Sequence, residues 1–330
     1  PLPALDREVD SIFHIKAGEL NILNVVDSWI DPETLNTLKK TLTWDMILWP
    51  FQTMRELEVL CPSRVPVSIP ELPIEWIEQL NILNPKYIIP SSCQFIHEDW
   101  SWYNQALFPI SYQKFAEEIN ILLPQTKIIR LNPANSISII QNSVDFLKPL
   151  SWIQPIGNQD IDYSFNPNLK VPSTSDISKH FNSLNNQQAE MVYQFCRSNI
   201  IEKYNSIGYS NERYFDKTRL WRLSIYDHLG IAQHFYYKLH SDKIEHYRHS
   251  DFPLSWTTEV PIAKLYGALY NGETLTSMYI RINDTTFCPE IENEIKSVDI
   301  FEDPLIRCLF HGNFGAYQNA QLKNILARME

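Results

Sequence analysis

At 330 residues the chain has room for two domains or one large one. Its 44% hydrophobic and 20% charged residues exclude wholesale disorder, a collagen-like rod and a disulfide scaffold. A net charge of -11 argues against nucleic acid as a partner, because phosphate contacts need Lys and Arg. No apolar run reaches the roughly 18–20 residues that span a bilayer, so no membrane partner is expected.

In chain order, the first 140 residues alternate short apolar runs with helical patterns. Residues 11–15 and 20–26 are predicted strands joined by a turn at 16–19. Asp31-Pro32-Glu33 opens a helix to about residue 41, with Asp31 as cap and Pro32 at the first helical position. Residues 46–49, 86–89 and 127–131 read as short buried strands, and 70–83 and 111–122 as helices. Strand and helix in alternation argue for an α/β layer. Residues 141–215 are rich in Asn, Ser and Pro, and 158–175 has the character of a connection. A helix is expected over 187–204. It is followed by a hairpin of 219–226 and 231–239 about a turn at 227–230, and by a strand near 243–249. Residues 261–270 read as a helix closed by Asn271-Gly272, 274–282 as a strand, and 304–310 and 316–328 as helices.

Glycine is scarce, at 8 residues, and neither GxGxxG nor GxxxxGK[ST] occurs, so Gly-rich phosphate cradles are not expected. The five cysteines, Cys61, Cys93, Cys196, Cys288 and Cys308, are scattered and form no CxxC, which fits a reducing cytoplasm. Residues 1–10 hold no signal-peptide pattern. The chain begins with Pro, so it is expected to be processed or part of something longer.

Three predicted strands end in polar residues. The first closes on Asp27-Ser28-Trp29, the second on Trp49-Pro50-Phe51-Gln52 and the third on Pro90-Ser91-Ser92-Cys93. In α/β sheets ligands bind at the carboxyl ends of strands. A carboxylate there holds a metal or acts as a base, or simply caps a loop. His97, in His97-Glu98-Asp99-Trp100, is a candidate metal ligand or proton shuttle, or a plain surface histidine. Cys93 stands where a nucleophile could be placed, but no third orienting group is evident, and a buried thiol is the alternative.

These strands resemble the second half of a metallo-β-lactamase fold, in the branch of the CMP-sialic acid hydroxylase and the ascorbate-lactonase-like hydrolases. Ile22–Asp27 is similar to the family's strand ending in a metal-bridging Asp. Trp44–Pro50 and Asn84–Pro90 are similar to two further strands, and Asn132–Ser136 to a closing turn with Ala134 in place of Gly. The resemblance implies half of an αββα sandwich over residues 1–145, a connecting segment over 146–175 and an α+β accessory domain over 176–330. It implies a metal-dependent hydrolase, or a hydroxylase with oxidoreductase chemistry, acting on a small-molecule substrate. Asp27 would be a metal ligand and His97 catalytic, and Trp29, Ser91, Ser92 and Cys93 would line the substrate site. The family's H-x-H-x-D-H cluster is absent, and one carboxylate does not hold a catalytic zinc or iron. The divalent metal would therefore need ligands from an upstream fragment or a partner chain completing the fold. The alternative is a non-catalytic binding or scaffold protein that keeps the fold without the metal.

Two other groups stand out. Five of nine histidines, His228, His234, His240, His246 and His249, fall within 22 residues, as a metal site or as a polar hairpin surface. Trp256, Tyr266, Tyr270, Met278 and Tyr279 line an apolar pocket or form core, and Arg281 and Arg307 hold an anion or make ion pairs.

Overall fold

In the computed structural model of the chain, the described residues are 2–3, 11–41, 43–65, 70–92, 95–140, 143–208, 210, 213–248, 253–284, 293–295, 302–311 and 316–328. The fold is mixed α/β, with parallel and antiparallel sheets. Two compact units form: Pro1–Arg55 with Ser68–Leu169, and Glu56–Val67 with Lys170–Glu330. Among the described residues no helix is long and apolar enough to cross a membrane.

Unit 1 is built on a six-stranded sheet in sequence order: β1 (Leu2–Pro3), β2 (Ser11–Ala17), β3 (Leu20–Asn24), β4 (Met46–Pro50), β5 (Tyr87–Ser91) and β6 (Lys127–Ile128). The β2–β3 pair is an antiparallel hairpin, and β3 to β6 run parallel. Right-handed crossovers between neighbours in this order place all connections on one face. Helices Pro32–Thr41, Ile74–Leu83 and Tyr112–Leu122 do share one face. Their Leu38, Trp76, Leu80, Phe115 and Ile119 pack with Leu23, Ile47, Trp49 and Ile88 in one core. The alternate strand residues Met46, Tyr87 and Ile89 form a smaller cluster against a hairpin of β7 (Ile137–Ile140) and β8 (Ser143–Phe146). Polar bonds pin the strand starts: Asp45 accepts from the Asn21 amide at 2.9 Å and from Lys86 Nζ at 2.8 Å. The hairpin β7–β8 escapes the sequence reading, because its residues Ser143–Phe146 are mostly exposed and polar.

Unit 2 holds a five-stranded sheet ordered β11 (Lys243–His246), β10 (Ala232–His240), β9 (Arg219–Tyr226), β12 (Leu254–Pro261), β13 (Arg281–Ile282). The central β9–β12 pair is parallel and its neighbours are antiparallel. Here the sequence reading needs two corrections. The expected strand over 274–282 is a 3-10 turn, Leu275–Ser277, followed by a two-residue strand. The unexpected strand is β12, whose Thr257 and Glu259 made a central strand look like a loop. The cap at the end of helix Ile262–Tyr270 is left-handed only at Gly272 (φ 74), while Asn271 stays right-handed.

The two faces of this sheet differ. Trp221, Leu223, Ile225, Tyr237, Leu239, Trp256 and Val260 point one way and are buried. Arg222, Ser224, Tyr226, Thr257, Glu259 and Arg281 point the other way by strand alternation and register. On the apolar side runs a helical rod over residues 186–207, and Tyr237 donates to the Cys196 carbonyl there. Val192, Cys196, Ile200 and Tyr204, each four residues apart, are all fully buried. In a straight α-helix that spacing drifts by about 40° per step, or about 120° from first to last. A π-helical turn at Phe195–Asn199 interrupts the rod. Its looser winding takes much of that drift back, so the four side chains keep one face.

Candidate functional site

The strand ends of unit 1 are held by local contacts. Asp27 lies past β3 in the left-handed region (φ 61), inside a turn where the Ser28 amide donates to the Val25 carbonyl at 2.9 Å. The Val26 amide donates to Asn24 Oδ1 at 3.1 Å. Trp29 is 43% exposed and tilts against Trp76 at 5.5 Å. Gln52 is buried and exchanges hydrogen bonds with the backbone of Ile110. Ser91 Oγ donates to the Ile89 carbonyl at 3.0 Å, and Ser92 has φ 72. Cys93 lies outside the described residues. His97 is anchored by its backbone, whose amide donates to Asn104 Oδ1 at 2.8 Å, and its ring stands edge-on to Tyr103. Among the described residues no group of three or more His, Cys, Asp or Glu side chains could hold a metal ion.

The hydrophilic face of the unit 2 sheet is different. It floors a cavity of about 520 Å³ lined by residues of that unit alone. Tyr226, Glu259, Arg281 and Asp284 come from the sheet and its edge, and Val171, Pro172, Ser173, Thr174 and Ser175 from a segment crossing it. Pro62 and Ser63 complete the rim. The crossing segment is strapped down at three points. Thr174 Oγ1 donates to Glu259 Oε2 at 2.8 Å, Arg281 Nη2 to the Pro172 carbonyl at 2.7 Å, and Ser175 Oγ to the Gly230 carbonyl at 2.8 Å. Ser173 then caps the helix Thr174–Ser178, accepting from the Asp176 amide at 3.1 Å.

The charges of this cleft are matched. Asp284 Oδ2 takes Arg281 Nη1 at 3.1 Å, and Asp284 Oδ1 accepts from the Ser63 amide at 2.6 Å. Arg222 Nη2 lies 3.9 Å from Glu259 Oε1. Burial pushes the Tyr226 phenol up, and the Glu259 carboxylate adds to that. Burial pushes His234 down, helped by Arg222, while Ser224 Oγ lies 2.8 Å from its Nδ1. Glu259 is 8% exposed and Arg281 6%.

Of the residues singled out by sequence, Arg281 belongs to this cleft, whereas Arg307 is tied into the core by Tyr204 Oη at 3.1 Å and the Gly208 carbonyl at 3.0 Å. The histidines do not converge. His234 sits on the hydrophilic face beside Ser224, His246 stacks on Tyr237 at 5.2 Å, and His249 lies outside the described residues. Trp256, Met278 and Tyr279 are fully buried core. Glu259 was missed. Its signal is a lone acid in the run Trp256-Thr257-Thr258-Glu259-Val260, opposite in parity to a buried Trp and Val.

No family model matches the chain, and no curated protein matches it. Among solved structures it is similar to the MycE methyltransferase from the mycinamycin biosynthetic pathway. The complex with Mg and SAH matches at 14% identity and a TM-score of 0.29, over 47% of this chain and 45% of that chain. The complex with Mg, SAH and mycinamycin VI matches at 14% and 0.25, over 37% of each. A second crystal form with Mg and SAH matches at 14% and 0.26, over 40% and 35%. The chain thus spans less than half the length of these solved chains, and so slight an overlap carries no activity across to it.

The metallo-β-lactamase resemblance is corrected by these findings. The solved structures matched are a methyltransferase's, not those of a metallo-β-lactamase, and no metal-ligating group forms among the described residues. With it go the half-sandwich reading, the hydrolase or hydroxylase activity with its oxidoreductase chemistry, the zinc or iron cofactor and the scaffold that would keep that fold. The physical reason is plain. An apolar strand closed by a polar residue is what any parallel α/β sheet presents, so the motifs are common to many topologies.

Proposed function

We propose that this chain binds a small polar molecule in the cleft on the hydrophilic face of the unit 2 sheet. The observation that carries this reading is a cavity of about 520 Å³ floored by Glu259 and Arg281, both more than nine-tenths buried. Withdrawing charges from bulk water is unfavourable, and apolar residues of similar volume stabilise a fold at least as well. Charged groups gathered under an opening are better accounted for by a ligand, and the cavity falls within the ordinary ligand range of about 300–1,000 Å³.

The test is calorimetry and thermal shift with a panel of small metabolites, on the wild type and on Ser63→Trp. Ser63 is an exposed rim residue whose backbone, not its side chain, anchors Asp284. An indole there fills the mouth and leaves the fold intact. The expected result is saturable binding of one chemical class, lost in Ser63→Trp at unchanged melting temperature. Absence of any binding, or equal binding by the variant, overturns the reading.

A further inference from the structure

We infer that the molecule held in this cleft is uncharged and polyhydroxylated, a sugar or a polyol. This rests on the cleft reading above and names its ligand class. The first argument is charge balance. Asp284 is matched by Arg281 at 3.1 Å, and Glu259 faces Arg222 at 3.9 Å, so each carboxylate already has its guanidinium. An anionic ligand would meet Glu259 and Asp284, and a cationic one would meet Arg281 with Arg222 behind it. Neither finds an uncompensated partner, and like-charge contacts at a buried site are strongly unfavourable.

The second argument is hydrogen-bonding capacity left open. Thr174 occupies Glu259 Oε2, but Arg222 stands beyond hydrogen-bonding distance of Oε1. Tyr226 Oη makes no hydrogen bond among the described residues. Together they offer a strong acceptor and a group that both donates and accepts, at one end of the cavity. An apolar occupant would strip water from Glu259 and return nothing. Alcohol hydroxyls donate to Oε1 and pair with the phenol in either sense. The C–H faces of a sugar ring suit the opposite wall at Val171 and Pro172.

The experiment is isothermal titration of the full chain with neutral probes (glucose, galactose, mannose, myo-inositol and maltose) and with glucosamine and glucose 6-phosphate as charged counterparts. A neutral probe is expected to bind saturably, at least tenfold tighter than either charged counterpart, and Ser63→Trp is expected to abolish it. Glu259→Gln and Tyr226→Phe are each expected to weaken it at least fivefold. Should Glu259→Gln fold poorly, the ranking of probes on the wild type decides alone. A charged or non-hydroxylated metabolite binding tighter than every neutral probe, with binding lost in Ser63→Trp, overturns the sugar while leaving the cleft reading in place. No binding by any solute overturns both.

Discussion

Trp256 Nε1 donates to Asp303 Oδ2 at 2.7 Å in the core of unit 2, joining strand β12 to the cap of the helix Pro304–Phe310. Thr258 donates to the same oxygen, while the amides of Leu305 and Ile306 reach Oδ1 at 2.9 and 3.1 Å. The carboxyl is fully buried, with four donors around it. Burial pushes it up to about 6, and the hydrogen bonds from Thr258, Trp256 and the two amides pull it only part of the way back.

That shift sets a pH dependence of stability. Between the ordinary carboxyl value of 3.8 and about 6, the unfolded chain releases this proton before the folded chain does. Raising the pH through that window therefore removes stability, by about 3 kcal/mol in all, and above it the effect is flat. In urea unfolding at pH 4, 5, 6 and 7, Asp303→Asn is expected to lack this component of the slope. It should also be less stable by about 1–3 kcal/mol, because an amide NH2 meets donors on one side. An identical slope in the two proteins would refute the assignment.

Gly230 occupies the left-handed region at φ +79, and a Cβ there would stand 2.5 Å from Ser175 Oγ and 2.7 Å from the Ser175 carbonyl oxygen. Gly230→Ala combines backbone strain with that collision. A loss of about 2 kcal/mol or more is expected in chemical denaturation, together with weaker ligand binding, since Ser175 belongs to the segment crossing the cleft.

Ala134 sits at φ 70 in the turn before β7, where a glycine would be at ease. Ala134→Gly is expected to stabilise unit 1 by about 0.5–1 kcal/mol, read as a higher melting temperature. A lower one would show that the buried methyl outweighs the strain.

Arg281 spans from Asp284 to the Pro172 carbonyl through two different nitrogens. Arg281→Ala leaves a buried carboxylate unmatched and is expected to destabilise by about 3–5 kcal/mol. Arg281→Lys should recover only a small part, because an ammonium lacks the planar fork that serves both partners. Recovery in full would mean that charge alone matters here.

The parts of the fold that were legible from sequence share a simple signature. The runs at 46–50 and 87–91 are apolar on both faces, as strands covered on two sides must be. The hairpin of β9 and β10 announced itself by its Asp-His-Leu-Gly turn. Strand β12 did not, because the core on one side and the cleft on the other give it Trp256, Thr258 and Val260 alternating with Thr257 and Glu259, all buried. Site residues were sought at unit 1 strand ends because Asp27 and Ser92 have the right sequence positions. What those positions encode is turn geometry, at φ 61 and 72. The cleft was hidden for a different reason. Arg281 and Asp284 lie well over 100 residues from Pro172, which they help to hold, and only pairing of strands far apart in sequence brings them together.

The loosened turn at Phe195–Asn199 has a consequence for how the rod tolerates change. Its two halves are phased against separate partners: Cys196 against Tyr237 on the sheet, and Tyr204 against Arg307. Deleting one residue inside that turn would restore a regular α-helix and swing everything after it by about 100°. Tyr204 would then leave Arg307, and an uncompensated guanidinium would remain in the core. Length in this stretch is thus more tightly constrained than composition: side chains of similar size can be exchanged, whereas the residue count cannot.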